Sequence, residues 1–239
     1  MADSAVKPFQ FKQFAVEQSQ SSMKVGTDAI LLGSWAELGE ARTILDVGTG
    51  NGVLALICAQ RNQRAIVRGV EIDEGSVGDA GFNFAHSPWA ERMSVHHFDF
   101  LNYESDMPVD LIISNPPYFS DSIRAADPVR SKARHDDSLP AEKFMRHSEQ
   151  LLAHEGRISI IIPRSRLKKW LDAAAVAHLF PNRIAHVFTL ADKDATRVMV
   201  EFSRHYEFEP KMESILIEKS PGEISEAFKE LTQPFYTRW

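Results

Sequence analysis

Short apolar runs of β type recur along this chain, separated by helical patterns, and that alternation limits the fold more than any other feature. The clearest runs are TILDVG (43–48), IVRGVEI (66–72), MSVHHF (93–98), VDLIIS (109–114) and RISIIIP (157–163), followed by RIAHVFTL (183–190) and RVMVEF (197–202). Segments 53–60, 74–85, 141–152 and 166–178 read as helices. Such alternation implies a parallel sheet covered on both faces. Only ADKDAT separates the last two runs, too short for a helical crossover, so they should pair antiparallel. The expected fold is α/β, a mostly parallel seven-stranded sheet with an antiparallel C-terminal strand pair. In such sheets ligands sit at the carboxyl ends of the strands.

With 239 residues the chain can bury a full core, and no repeat or linker divides it, so residues 1–239 read as one domain. The core spans 41–203. Residues 204–239 form an extension with a strand (SILIEK), a short helix and an aromatic tail, PFYTRW. No apolar run approaches the roughly 20 residues that cross a bilayer, and MADSAVKPFQ lacks a secretory pattern. Cys58, alone in LALICAQ, reads as a core residue in a reducing compartment. A cytoplasmic protein with no membrane contact follows. The formal charge of −6 argues against nonspecific coating of nucleic acid but leaves room for a local basic patch. His96 and His97 follow strand alternation, and no spacing of His, Cys, Asp or Glu suggests a metal.

LDVGTGNGVLAL places Asp46, Gly48, Gly50 and Gly52 where the first of these strands meets the next helix. Glycines permit a tight turn and close approach of a ligand to the backbone. A dinucleotide loop would read G-x-G-x-x-G. Here the spacing is G-x-G-x-G with an acid two residues before, which repels a pyrophosphate and suits the cationic methionyl end of S-adenosylmethionine. Taken alone, the motif also fits a tight turn with no ligand. Glu71 stands at the next strand end, about 20 residues on, where a ribose diol is gripped. Asp73 reads as the N-cap of the following helix. In HFDF, Asp99 is placed to accept from an adenine amine and Phe100 to cover its ring; for Asp99, a cap is the plainer reading.

Asn115-Pro116-Pro117-Tyr118 follows the fourth run directly. Two prolines remove two backbone donors and fix both φ angles. An amide side chain beside a carbonyl of such a loop offers two acceptors to an NH2 group. Holding both hydrogens there turns the nitrogen lone pair toward an incoming methyl, without a strong base. Tyr118 offers a flat face for a base.

In these residues the chain resembles the amino-methyltransferases that carry N-P-P-Y. Over most of its length it is similar to the tRNA1(Val) (adenine-37-N6)-methyltransferase family. Further likenesses are FKQF, MKVGTDAILLGSW (23–35), SPWAERMSV (87–95), ARHDDSLP (133–140) and the aromatic tail. The resemblance implies a Rossmann-like class I S-adenosylmethionine-dependent methyltransferase, acting on an adenine N6 in the anticodon loop of a valine tRNA. It implies that residues 1–40 form an N-terminal lip of the cofactor site through Lys24, Gly26, Thr27 and Asp28, with Thr27 near the cofactor carboxylate. Asp46, Gly48, Thr49, Gly50, Gly52, Glu71, Ile72, Asp99, Phe100 and Asn115 would line the rest. One departure is the helix after Glu71, where Gly75, Gly78 and Gly81 leave one face nearly bare, so that it lies close to the sheet or is locally loose.

On the substrate side, Arg124, Arg130, Lys132, Arg134 and His135 lie in the polar stretch 119–139, and Arg164, Arg166, Lys168 and Lys169 in PRSRLKKW. Both should open on the rim of N-P-P-Y and meet RNA phosphates, although each residue alone also fits a solvated surface. The expected partner is tRNA, and the expected state a monomer. A loop adenine is favoured, because a paired one must first be unstacked. Alternatives are guanine-N2 methylation of RNA, methylation of a protein glutamine amide, or a non-catalytic RNA-binding module. The second would be expected to bring a separate N-terminal helical domain, and only about 40 residues precede the glycine-loop strand.

Overall fold

The computed structural model describes residues 7–21, 23–117 and 139–238. Tyr118, Arg124, Arg130, Lys132, Arg134 and His135 lie outside the described residues. A two-stranded hairpin, β1 (Phe9–Gln10) and β2 (Ala15–Val16), precedes helix α1 (Thr27–Trp35). Then come β3 (Thr43–Val47), α2 (Val53–Arg61), β4 (Ile66–Glu71), α3 (Glu74–Ala85), β5 (Met93–His97) and β6 (Val109–Ser114). After the undescribed stretch follow α4 (Ala141–Leu151), β7 (Leu152–Pro163), α5 (Leu167–Val176), β8 (Phe180–Leu190) and β9 (Arg197–Ser203). The chain ends with β10 (Lys211–Ser220), β11 (Glu223–Ile224) and α6 (Glu226–Thr232).

The main sheet has the order β11-β10-β8-β9-β7-β6-β3-β4-β5. Strands β5, β4, β3, β6 and β7 are parallel, and β9 runs antiparallel to both β7 and β8. All seven expected runs are strands, and the last two pair as expected. The sheet is nevertheless nine-stranded, because β10 adds parallel to β8 and β11 turns back on β10. The run expected at 157–163 extends back to Leu152. Its interior residues Ile158 to Ile162 are all buried, the near-continuous apolar pattern of a strand covered on both faces.

Two apolar layers flank the sheet. One joins α1 and α2 to the N-terminal aromatics, Phe84 of α3, and Phe228, Phe235 and Tyr236. The other packs α4 and α5 on Leu45, Ile112, Ile158 and Ile160. The tail is part of the first layer: Phe11 bridges to Tyr236, and the Lys12 N–H donates to the Phe235 carbonyl. Cys58 is buried in the same layer, where burial pushes its thiol up to about 12. Among the described residues no helix is long and apolar enough to cross a membrane, and no group of three His, Cys, Asp or Glu could hold a metal.

The position of β3 sets the site. Its right-hand neighbour is β4 and its left-hand neighbour β6, so the chain reverses its winding between them. A cleft opens at such a switch point. The glycine loop leaves β3 there, and Asn115 leaves β6.

Candidate active site

Asp46 and Ile113 are register partners on β3 and β6, which brings the next residues of both strands to one edge. The Ser114 hydroxyl donates to the Val47 carbonyl at 2.7 Å and fastens the two strand ends together. The turn then runs through Gly48, Gly50 and Gly52 at φ 68, 57 and 83, the left-handed region that L side chains rarely adopt. A Cβ on Gly48 or Gly50 would meet nothing within 4 Å, so open space faces the loop backbone. Gly52 is different. A Cβ there would lie 2.5 Å from the ring of buried Phe84, so this glycine lets the loop rest on α3.

Asp46 is fully buried. Its Oδ2 accepts from the Thr49 hydroxyl at 2.6 Å and the Ala55 N–H at 3.1 Å, while Oδ1 is buried with no partner among the described residues. Burial, opposed by these two bonds and reinforced by Glu71, raises its pKa from 3.8 to about 7. The sign of the pH effect follows. A group whose folded pKa exceeds its unfolded value adds stability below the unfolded pKa and loses it as pH rises through the folded one. The unliganded chain is therefore less stable at pH 8 than at pH 5 on account of Asp46, by on the order of 3 kcal/mol. Asp46→Asn keeps the acceptor for Thr49 and Ala55. Thermal melts of this variant should lose most of that difference, gaining more at pH 8 than at pH 5 relative to wild type.

Glu71 holds the loop from the second side. Its Oε2 accepts from the Gly50 N–H at 2.9 Å, and Oε1 from the N–H groups of Ile72 and Asp73 at 2.8 and 3.0 Å. Oε2 keeps a lone pair for a hydroxyl. Ile72 beside it is 66% exposed, an apolar side chain left open at the cleft. Asp73 caps α3 by accepting from Ser76 N–H. Asp99 caps the single 3-10 turn Phe100–Asn102 and also takes the Asn102 amide. The Phe100 ring does not cover the cleft. It is buried, packed on Phe144 at 5.3 Å and edge-on to His147 at 4.9 Å, because the turn points it into the core under α4.

The N-terminal segment closes the near side. Gly26 precedes α1 without a side-chain cap, so the first N–H groups of α1 are available to a carboxylate, and Thr27 begins the helix. The other two lip residues expected here turn elsewhere. Lys24 Nζ donates to the carbonyls of Gln18 and Ser21, and Asp28 pairs with Arg197 of β9 at 2.8 Å. Lys24 thus ties the lip to itself, and Asp28 ties α1 to the sheet.

On the far side stands Asn115. Its Oδ1 is buried and has no hydrogen-bond partner among the described residues. Pro116 behind it is buried and Pro117 exposed. Both prolines share a small pocket with Leu139, Ile162, Arg166 and Lys169. Arg164 and Arg166 sit on one 3-10 turn at the end of β7. Lys168, on the helix that follows, pairs with Asp172 at 2.7 Å.

Sequence reasoning passed over Asp79 and Asn83 on α3. Both are buried, and both grip the lip: Asp79 takes the N–H groups of Gln20 and Ser21, and Asn83 both donates to and accepts from the Glu17 backbone. The bare glycine face has the same explanation. A Cβ on Gly75 would come within 3.1 Å of the Gln20 carbonyl, and Gly78 also faces Gln20; only Gly81 looks toward the sheet, at Val95. The face admits the N-terminal segment.

An open glycine cradle, an acid with a lone pair left at the next strand end, a carboxylate oxygen with no partner among the described residues and an uncapped helix start fit S-adenosylmethionine, a cationic amino acid joined to a nucleoside. Known proteins agree. Residues 18–175 match the methyltransferase small domain family. Among solved structures, the Atu636 protein from Agrobacterium tumefaciens, described as a predicted O-methyltransferase, superposes with a TM-score of 0.67 at 19% identity. The match covers 87% of this chain and 96% of that one. Geranyl diphosphate C-methyltransferase from Streptomyces coelicolor, solved with S-adenosyl-L-homocysteine, gives 0.53 at 12% identity over 73% of this chain and 77% of that one. The class is therefore that of the methyltransferases with this α/β fold.

Within it, a curated protein of Bacteroides thetaiotaomicron named tRNA1(Val) (adenine(37)-N6)-methyltransferase is 43% identical over 229 residues, covering 95% of this chain and 96% of that protein. The chain belongs to the tRNA1(Val) (adenine(37)-N6)-methyltransferase family.

Proposed function

We propose that this chain methylates the N6 amine of adenine 37 in a valine tRNA, with S-adenosylmethionine as donor. The observation that carries the reading is the Asn115 side-chain oxygen, buried, without a partner among the described residues and one strand from the glycine loop. An unmet buried acceptor is costly to keep unless a ligand completes it. The amine of an adenine completes it, with a carbonyl of the Pro-Pro step taking the second hydrogen.

Gly48 to Gly52, Glu71 and the start of α1 would hold the cofactor, and Asp99 its adenine amine. The cofactor supplies a methyl group on a sulfonium. Asn115 and the rigid loop orient the nitrogen lone pair toward that methyl, which is catalysis by positioning in a fixed polar environment. Once the methyl is transferred, the product nitrogen is cationic and releases a proton to solvent. Tyr118 is assigned the stacking face for the base. Arg124, Arg130, Lys132 and Arg134 are assigned to RNA phosphates along with Arg164, Arg166 and Lys169. The reading calls for a cytoplasmic monomer with no metal.

The phosphate assignment has its own test. Arg166→Ala and Lys169→Ala should each raise the KM for tRNA and reduce the slope of log KM against log salt by about 1. The KM for the cofactor should stay unchanged. The reaction itself is tested with labelled S-adenosylmethionine and total RNA, followed by nucleoside analysis. Label in N6-methyladenosine, confined to tRNA, is expected; label at guanine N2 or in protein would overturn the substrate assignment.

A further inference from the structure

Two backbones close on the cofactor cleft, the glycine loop and the N-terminal lip, and both are tied to the same helix. Asn83 makes the tie. Its Oδ1 accepts from the Glu17 N–H at 2.7 Å, and its Nδ2 donates to the Glu17 carbonyl and to the Asn51 carbonyl, each at 2.8 Å. Asn51 belongs to the glycine loop, one residue before Gly52. Thus a single amide, 3% exposed, spans the lip and the loop.

One turn earlier on the same helical face, Asp79 Oδ2 accepts from the N–H groups of Gln20 and Ser21 at 3.0 and 2.7 Å and from the Ser21 hydroxyl at 2.7 Å. Gly75 and Gly78 continue this face and leave room for Gln20. The lip is also closed on itself, with the Val25 N–H donating to the Gln18 side chain at 2.9 Å. Fixing residues 17–21 therefore fixes Gly26 and the start of α1. A direct link from lip to loop is weak by comparison, the Asn51 amide reaching the Met23 carbonyl at 3.4 Å.

We propose that Asn83, supported by Asp79, is a positioning residue for the cofactor: it sets the gap between the glycine loop and the lip that receive the two sides of the methionyl group. The inference rests on the reading of this cleft as an S-adenosylmethionine site and goes beyond it in naming what sets its width. Neither residue touches the transferred methyl. Their loss weakens cofactor binding and leaves the chemical step nearly intact.

The test uses the full chain and two variants, Asn83→Ala and the milder Asp79→Asn, titrated with S-adenosylhomocysteine by calorimetry and followed by steady-state kinetics. Loss of the bridging bonds should weaken binding about tenfold in Asn83→Ala and a few-fold in Asp79→Asn, in line with the worth of buried hydrogen bonds. The KM for S-adenosylmethionine should rise in step. At saturating cofactor kcat should stay within about threefold and the KM for tRNA within about twofold. In hydrogen exchange, the Glu17 and Ser21 amides of wild type should gain protection when S-adenosylhomocysteine binds, and those of Asn83→Ala should not.

If both variants melt earlier yet bind the cofactor as wild type does, the residues are merely structural and the inference is overturned. Should Asn83→Ala fail to fold, Asp79→Asn decides alone by the same affinity. Binding is read without RNA. A wild type that binds S-adenosylhomocysteine but methylates no tRNA therefore sinks the substrate reading and leaves this inference standing. A wild type that binds none overturns both.

Discussion

Asn115→Ala lowers kcat for methyl transfer on the order of 10²–10³-fold and leaves cofactor affinity within a few-fold, the pattern of a group that acts mainly in the transition state. The reason lies in what the side chain does before any ligand arrives. Its oxygen is buried and unsatisfied by the described residues, held between the end of β6 and a Pro-Pro step that adds no donors of its own. Such an acceptor is preorganised and does not reorient as the methyl moves. Alanine leaves the amine with one acceptor, so the lone pair is no longer held toward the donor. Asn115→Asp keeps an acceptor oxygen and should recover part of the loss. Single-turnover rates and calorimetric titration with S-adenosylhomocysteine separate the two effects. A loss of affinity as large as the loss of rate would instead make Asn115 a part of the cofactor wall.

Gly52→Ala should produce the largest loss of stability of any single methyl added to the site. The residue sits at φ 83, and the new Cβ would lie 2.5 Å from the Phe84 ring. Left-handed strain and overpacking together cost roughly 2–5 kcal/mol. At about 2–4 °C for each kcal/mol, the melting temperature should fall on the order of 5–20 °C. Cofactor binding should fail as well, since the loop either lifts from α3 or pushes Phe84 toward Asn83. Gly50→Ala separates the two causes. It shares the positive φ but faces open space, so it should melt closer to wild type while still weakening binding. Equal melting temperatures for the two variants would contradict the packing account.

Much of this was legible in the residues. The seven core strands could be read because each is a short β-rich run bounded by turns or helices. N-P-P-Y, the glycine loop and Glu71 could be read because each stands at the end of such a run. What escaped did so for physical reasons. Helix α1 is buried from Ala29 to Trp35, so it is apolar on every side and shows no amphipathic period. Phe100 was misplaced because its direction depends on a 3-10 turn that HFDF does not announce. Asp79 and Asn83 look like a solvated helix face until the lip is seen lying on them. Their one signal was the stripe of Gly75 and Gly78 one helical turn before, a bare face that implies something close. The strands β10 and β11 widen the sheet beyond seven because β8 would otherwise be an open edge.

The choice of adenine 37 is checked by position-specific methylation. A valine tRNA transcript and its variant with guanine at position 37 are incubated with the chain and labelled S-adenosylmethionine, then digested and mapped by mass spectrometry. One methyl group per transcript is expected, on N6 of adenine 37, and none on the variant. Equal labelling of both transcripts, or a methyl group on guanine or on protein, would contradict that assignment.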